Sequence, residues 1–250
     1  MAAEGVRGLH VVDRGGHHAD PLLFIHGWGI STWAFSEFFD QLAQHYRVIA
    51  ADLPGFGRSR ALGDPVSYER FADTLAELLT GLEIERAHVA GISMGGGVAL
   101  TFAVRHPQRV RSLVLMAPTG CPDVGLPMLA YTRVAEYLEQ VFSPGQAHGK
   151  ARVSATLFAN ILRHPATLLA TARMIASRRL LEDAERISAP TLLLWGDRDR
   201  TIPPRLSKDF AAAIGGAAVE IMPNTFHEMA TARPQATAAT IHGFISATGA

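Results

Sequence analysis

Short apolar runs of strand length recur along the chain, separated by longer stretches in which apolar residues return every three or four positions. "PLLFI" (21–25), "RVIAA" (47–51), "AHVAGI" (87–92), "RSLVLMA" (111–117) and "PTLLLWG" (190–196) are almost continuously apolar. That pattern is expected of strands covered on both faces. Between them, Trp33, Phe35, Phe38, Phe39 and Leu42 fit one helix. Tyr68, Phe71, Leu75, Leu78, Leu79 and Leu82 make a clearer stripe, with Ser67 before it as a plausible N-cap. Alternating strands and helices predict an α/β fold with a mostly parallel sheet and helices on both faces. In such sheets reactive groups collect beyond the carboxyl ends of the strands.

The alternation stops between about Thr119 and Asp183. That segment opens with Pro118, Pro122 and Pro127, carries Pro144-Gly145, and otherwise reads helical: "AYTRVAEYLEQVF", "ARVSATLFANIL", "TLLATARMIASRRL". An all-helical excursion of this length between two sheet strands is expected to be a cap over the site, with ordinary peripheral helices as the alternative. The expected organisation is therefore a core domain of residues 1–118 and 184–250 with a helical cap, 119–183, inserted in it. Met128, Leu129, Tyr131, Phe142, Phe158 and Leu162 could line an acyl pocket there or form the cap's own packing.

Composition narrows the function classes. The chain has 250 residues, 48% hydrophobic and 18% charged, ordinary for a globular enzyme with a sizeable core. Lys plus Arg equals Asp plus Glu at 23 each, so no basic field draws it to nucleic acid or anionic lipid. Cys121 stands alone, so no internal disulfide can form, which fits a reducing compartment. "MAAEGVRGLHVVDRGGHHAD" has no apolar block of signal-peptide length, and no apolar run is long enough to span a bilayer. The expectation is a cytoplasmic protein with a small-molecule substrate and no nucleic-acid or membrane partner.

The chemistry begins at "HVAGISMGGGVAL" (88–100), which holds Ser93 between Gly91 and Gly95 in a G-x-S-x-G spacing. A serine hydroxyl must be exposed to meet a carbonyl carbon, and a sharp strand-to-helix turn exposes it. Such a turn strains the serine backbone and needs neighbours without side-chain bulk. Alternatively, a closely packed helix start would also favour glycine and serine. A nucleophile needs a base and an orienting acid, in the order Ser, Asp, His on this kind of scaffold. "DRDRTIPP" after the last core strand offers Asp197 and Asp199. Asp197 directly follows the strand and could hold the turn or pair with Arg198 or Arg200; Asp199 lies further out, where it can reach an imidazole on the next loop. Asp123, on the loop after the preceding strand, is a third option. "VEIMPNTFHEMA" brings His227 after another strand-like run, whereas His242 sits in helix-like "TAATIHGFIS". His227 is the expected base. In "FIHGWGIS" (24–31), Gly27 lets the backbone approach a substrate, so Trp28 N–H and Met94 N–H are the expected oxyanion hole. His26 is expected to tie that loop together, and Trp28, if merely core, would need a partner for its indole N–H.

Together these pieces resemble the α/β-hydrolase superfamily over nearly the whole length: "HGWG", "DLPGFGRS" (52–59), "GISMGG" (91–96), "GDRD" (196–199) and His227 stand in the family's order. The resemblance implies the α/β-hydrolase fold, with Ser93 as nucleophile, Asp199 as acid and His227 as base. It makes Asp52, Gly55, Gly57 and Ser59 structural residues of a loop beside the site. Relatives often carry glycine before the histidine; here Phe226 stands there. Haloalkane dehalogenases and epoxide hydrolases resemble the chain but attack with aspartate where Ser93 stands. Epoxide hydrolases also usually have proline where Gly29 is, and the ring-degrading carbon–carbon hydrolases often have a longer Gly-Pro-Gly loop. "HGWGISTWAF" with "DLPGFGRSR" looks most like the esterases that demethylate pimeloyl-carrier-protein ester. The implied activity is carboxylic ester hydrolysis without cofactor or metal. Lactone, thioester or perhydrolysis chemistry on the same triad is an enzymatic alternative, and a ligand receptor or lyase on the same fold is a non-hydrolytic one.

Overall fold

The computed structural model describes residues 8–61, 63, 66–121 and 149–249. Seven strands form one sheet in the order β1-β3-β2-β4-β5-β6-β7: Val11–Arg14, Pro21–Ile25, Arg47–Ala51, Ala87–Ile92, Val110–Met116, Thr191–Gly196 and Ala218–Met222 are β1 to β7. β1 runs antiparallel to β3, and every other neighbouring pair is parallel. The expected α/β-hydrolase fold is the one observed. Four strands read from the sequence match to within a residue at each end, because their apolar runs are buried on both faces. The first, Pro21–Ile25, has only its leading proline half-buried.

Chain order reverses between β2 and β4, which lie side by side with Ile25 opposite Gly91. From β2 the chain moves outward through α1 (Ser36–Leu42) to β3; from β4 it moves the other way through α3 (Met94–Arg105) to β5. Right-handed crossovers in opposite directions put those helices on opposite faces. α2 (Tyr68–Gly81), crossing from β3 to β4, joins α3 and packs on it. The Ser67 hydroxyl accepts the Arg70 N–H at 3.2 Å, so Ser67 caps α2 as its residue type suggests. Residues 94–103 of α3 are all buried, as expected of a helix that is apolar all round. The crevice beyond β2 and β4, where connections leave in opposite directions, is where open α/β sheets bind ligands.

Two elements differ from the sequence reading. β1 carries no clear pattern in "VVDR", an edge strand with one buried residue. Residues 32–35 form a 3-10 turn ahead of α1, and Trp33 lies exposed with the Arg152 guanidinium 5.9 Å from its ring centroid. Trp33 is therefore not part of the α1 stripe, whose buried members are Phe38, Phe39 and Leu42.

Within residues 149–186 the insertion is helical: α4 (Lys150–Arg163), α5 (Pro165–Ser177) and a 3-10 turn at Leu181–Arg186. Phe158 and Leu162 on α4 are among the most exposed large apolar side chains described. Asp123, Met128, Leu129, Tyr131 and Phe142 lie outside the described residues. The chain then continues through α6 (Ser207–Ala213), α7 (Met229–Ala232) and α8 (Pro234–Thr248), the last packed against α1. No described helix is long and apolar enough to cross a membrane.

Candidate active site

Ser93 sits between β4 and α3 with φ +57° and ψ −121°. A side-chain-bearing residue at positive φ is strained by about 1–3 kcal/mol and persists only where its surroundings over-determine it. Here they do. The Ser93 N–H donates to Met116 O at 2.9 Å, and its carbonyl accepts from Gly97 N and Thr119 N, each at 3.1 Å. The flanking glycines have a steric reason: a Cβ on Gly91 would run into the Gly95 carbonyl, and one on Gly95 into the carbonyls of Ile25 and His26. The turn that strains Ser93 therefore closes only because those two positions carry no side chain.

The loop after β2 lies directly alongside. A Cβ built on Gly27 would stand 3.4 Å from Ser93 Cβ. His26 is fully buried; its Nε2 accepts the Leu53 N–H at 2.8 Å, and its Nδ1 faces Gly27 O at 2.8 Å. One nitrogen accepting and the other donating fixes a neutral ring, and burial lowers its pKa below the usual histidine range. His26 ties two loops together, as its position suggested. Asp52 does the same nearby: Oδ1 accepts from Thr32 N and Thr32 Oγ1, both at 2.7 Å, and Oδ2 from Arg58 N at 3.0 Å. Met94 opens α3, so its N–H has no acceptor within the helix and lies at the positive end of the helix dipole. The Trp28 indole is not core: Nε1 donates to Thr171 Oγ1 at 3.0 Å and Leu168 O at 3.2 Å, both on α5.

The loops after β6 and β7 bring the acids and the histidine together. His227 Nδ1 and Asp199 Oδ2 are 2.7 Å apart, and both residues are buried. The other Asp199 oxygen accepts the Ile202 N–H at 2.8 Å. A carboxylate accepting from Nδ1–H leaves the lone pair of the neutral ring on Nε2. Asp197 is exposed and accepts the Thr225 N–H at 3.0 Å, stitching the two loops. Phe226, standing where relatives often have glycine, is buried with the Arg198 guanidinium 5.9 Å from its ring centroid. His242 lies on α8, stacked on His45 at 3.8 Å and facing Tyr46 Oη through Nδ1 at 3.0 Å.

The insertion touches these loops through a residue the sequence reading did not single out. Asn160 of α4 is 1% exposed; Nδ2 donates to Gly29 O at 3.0 Å and Oδ1 accepts Gly57 N–H at 2.7 Å. His164 Nε2 stands 3.2 Å from Gly57 O. The available signal was a lone amide among apolar neighbours in "LFANIL".

Comparison with known proteins agrees with this geometry. The α/β-hydrolase fold family matches residues 20–143. A pimeloyl-[acyl-carrier protein] methyl ester esterase of Nitrosomonas europaea is 30% identical over 215 residues, covering 82% of this chain and 82% of that protein. A dihydrolipoyllysine-residue acetyltransferase component of an acetoin cleaving system, from Cupriavidus necator, is 31% identical over 90% of this chain, which spans only 62% of that protein's length. The crystal structure of an enol-lactonase from Burkholderia xenovorans superimposes with a TM-score of 0.83 at 22% identity, covering 98% of this chain and all of that one. With sheet order, nucleophile turn and a full-length esterase relative in agreement, the chain belongs to the α/β-hydrolase family.

Proposed function

We propose that the protein hydrolyses carboxylic esters through a Ser93–His227–Asp199 triad and an acyl-enzyme intermediate. The observation that carries this reading is the backbone of Ser93, a serine held at positive φ by three backbone hydrogen bonds at the sheet's switch point. Strain of that kind gathers at functional sites. The buried Asp199–His227 pair supports it, as does the esterase relative aligned over four-fifths of both chains.

In this mechanism His227 Nε2 takes the proton of Ser93 as Oγ attacks the ester carbonyl carbon. The tetrahedral oxyanion accepts from Trp28 N–H and Met94 N–H. Collapse breaks the bond to the alcohol oxygen, which leaves with the proton from His227. Water, deprotonated by the same imidazole, then attacks the acyl-enzyme and releases the acid. Asp199 holds the Nδ1–H tautomer and stabilises the imidazolium without taking its proton. Residues 119–183 act as the cap over this site.

Fluorophosphonate treatment followed by intact and peptide mass spectrometry tests the nucleophile, together with turnover of p-nitrophenyl butyrate. A single adduct on Ser93 is expected, and Ser93→Ala loses at least about 10³-fold in turnover while keeping its fold. Undiminished turnover in that variant, or an adduct on another residue, rejects the reading. A panel of aryl ester, lactone and acyl thioester then ranks the substrates open to the same triad.

A further inference from the structure

The turn bearing Gly27 and Trp28 is held from the insertion as well as from the core, and the central contact is Asn160. Its carboxamide has only one orientation that serves both partners, because Gly29 offers a carbonyl and Gly57 an N–H. Asparagine is a poorer helix former than the alanine and isoleucine beside it, and this one is almost wholly buried. A leucine would pack in its place but would leave two backbone groups without partners, each worth about 1–3 kcal/mol when buried. Both contacts fall at backbone positions of positive φ, Gly29 at +77° and Gly57 at +57°. Leu157, one turn before Asn160, closes over Gly29 so tightly that a Cβ there would meet its Cδ1 at 2.7 Å. On the other side of Trp28, its indole is bound by Thr171 and Leu168. The peptide unit carrying the Trp28 N–H is thus bracketed by contacts from α4 and α5.

We propose that Asn160 is a positioning residue for the oxyanion hole: it sets the Gly29 carbonyl, and through it the aim of the Trp28 N–H, from within the insertion. The inference rests on the esterase reading above. It adds that the cap helix completes the charge-stabilising half of the site. Donors to an oxyanion act by pre-set direction, and displacements near 1 Å lower rates by about 10²-fold. The lost step is formation of the tetrahedral adduct, so ground-state binding is spared.

Two variants test it against p-nitrophenyl butyrate and a trifluoromethyl ketone that forms a tetrahedral serine adduct. Asn160→Leu removes both bonds; Asn160→Asp keeps the acceptor for Gly57 N–H and sets a carboxylate against Gly29 O. In each, kcat is expected to fall about 10- to 100-fold with KM within about threefold, and ketone affinity to fall by the same factor as kcat. A folded variant with kcat and ketone affinity within twofold of the parent overturns the proposal, as does a change confined to KM. Where either variant fails to fold, amide exchange at Gly57 in the unaltered protein decides: protection supports the clamp and free exchange refutes it. Labelling of Ser93 with unmoved kcat in the variants rejects the positioning role alone. Absence of any Ser93 adduct rejects the hydrolase reading instead.

Discussion

The turns after β2 and β4 lie side by side and both need glycine, yet they are held in different ways. The Ser93 turn is fixed by backbone groups of the core and its immediate continuation: Met116, Gly97 and Thr119, with Tyr68 Oη 2.8 Å from the Thr119 hydroxyl behind it. The Gly27–Thr32 turn is fixed by side chains reaching in from elsewhere: Asp52 from the loop after β3, Asn160 from α4 and Thr171 from α5. A nucleophile's turn built into the sheet keeps its strained geometry whatever the insertion does. The neighbouring turn takes its shape partly from the insertion, so changes in those helices can alter rate without touching the triad. In the proposed mechanism this separates proton transfer, which belongs to the core, from oxyanion stabilisation, which the two regions share.

The largest expected effect therefore falls on the core. Asp199→Asn replaces the acceptor of His227 Nδ1–H and favours the wrong tautomer, so kcat for p-nitrophenyl butyrate is expected to drop about 10³- to 10⁴-fold. Asp197→Asn keeps a carbonyl oxygen for the Thr225 N–H and should lose less than about tenfold. The reverse ranking would move the acid to Asp197 and with it the base-orienting loop.

That pair also marks how far the sequence was legible. Strands such as Arg47–Ala51 and Ala87–Ile92 stand out because burial on both faces demands unbroken apolar runs. The glycines around Ser93 stand out because a turn so tight admits nothing else. Asp197 and Asp199, by contrast, sit in one loop, and which carboxylate turns inward depends on the Ile202 N–H and the Thr225 N–H, contacts made only in the fold. Trp33 misleads because apolar type does not compel burial. Asn160 is the hardest to see, since its partners lie 131 and 103 residues away along the chain.

A smaller effect is expected from the insertion. Thr171→Val is close to isosteric and removes one of two acceptors of the Trp28 indole, leaving Leu168 O at 3.2 Å. A net hydrogen bond of about 1 kcal/mol bounds the loss, so kcat should fall no more than about fivefold, with KM and melting temperature nearly unchanged. A loss as large as that of Asp199→Asn would show that α5 supports the base as well. No loss at all would show that Asp52 alone fixes the turn.

The smallest effect on turnover is expected from His88, on the strand that leads to Ser93 but near its opposite end. The side chain is buried, with Nδ1 2.9 Å from Ser112 Oγ and Nε2 without a hydrogen-bond partner. Burial depresses its pKa from 6.5 to about 4. The unfolded chain takes up the proton first as pH falls, so the folded state loses up to about 3 kcal/mol between pH 6.5 and 4, and nothing above that window. His26, also depressed by burial, adds to the loss in the same direction. His88→Leu should remove part of this slope: urea unfolding at pH 7 and pH 4.5 would show the variant gaining on the parent as the solution is acidified. Its kcat at pH 7.5 should stay within about twofold, because the Ser93 turn is fixed by β5 and α3 rather than by this end of β4. A large loss of turnover at neutral pH would break the separation drawn between the two turns, since it would mean that the nucleophile's geometry depends on packing at the far end of its own strand.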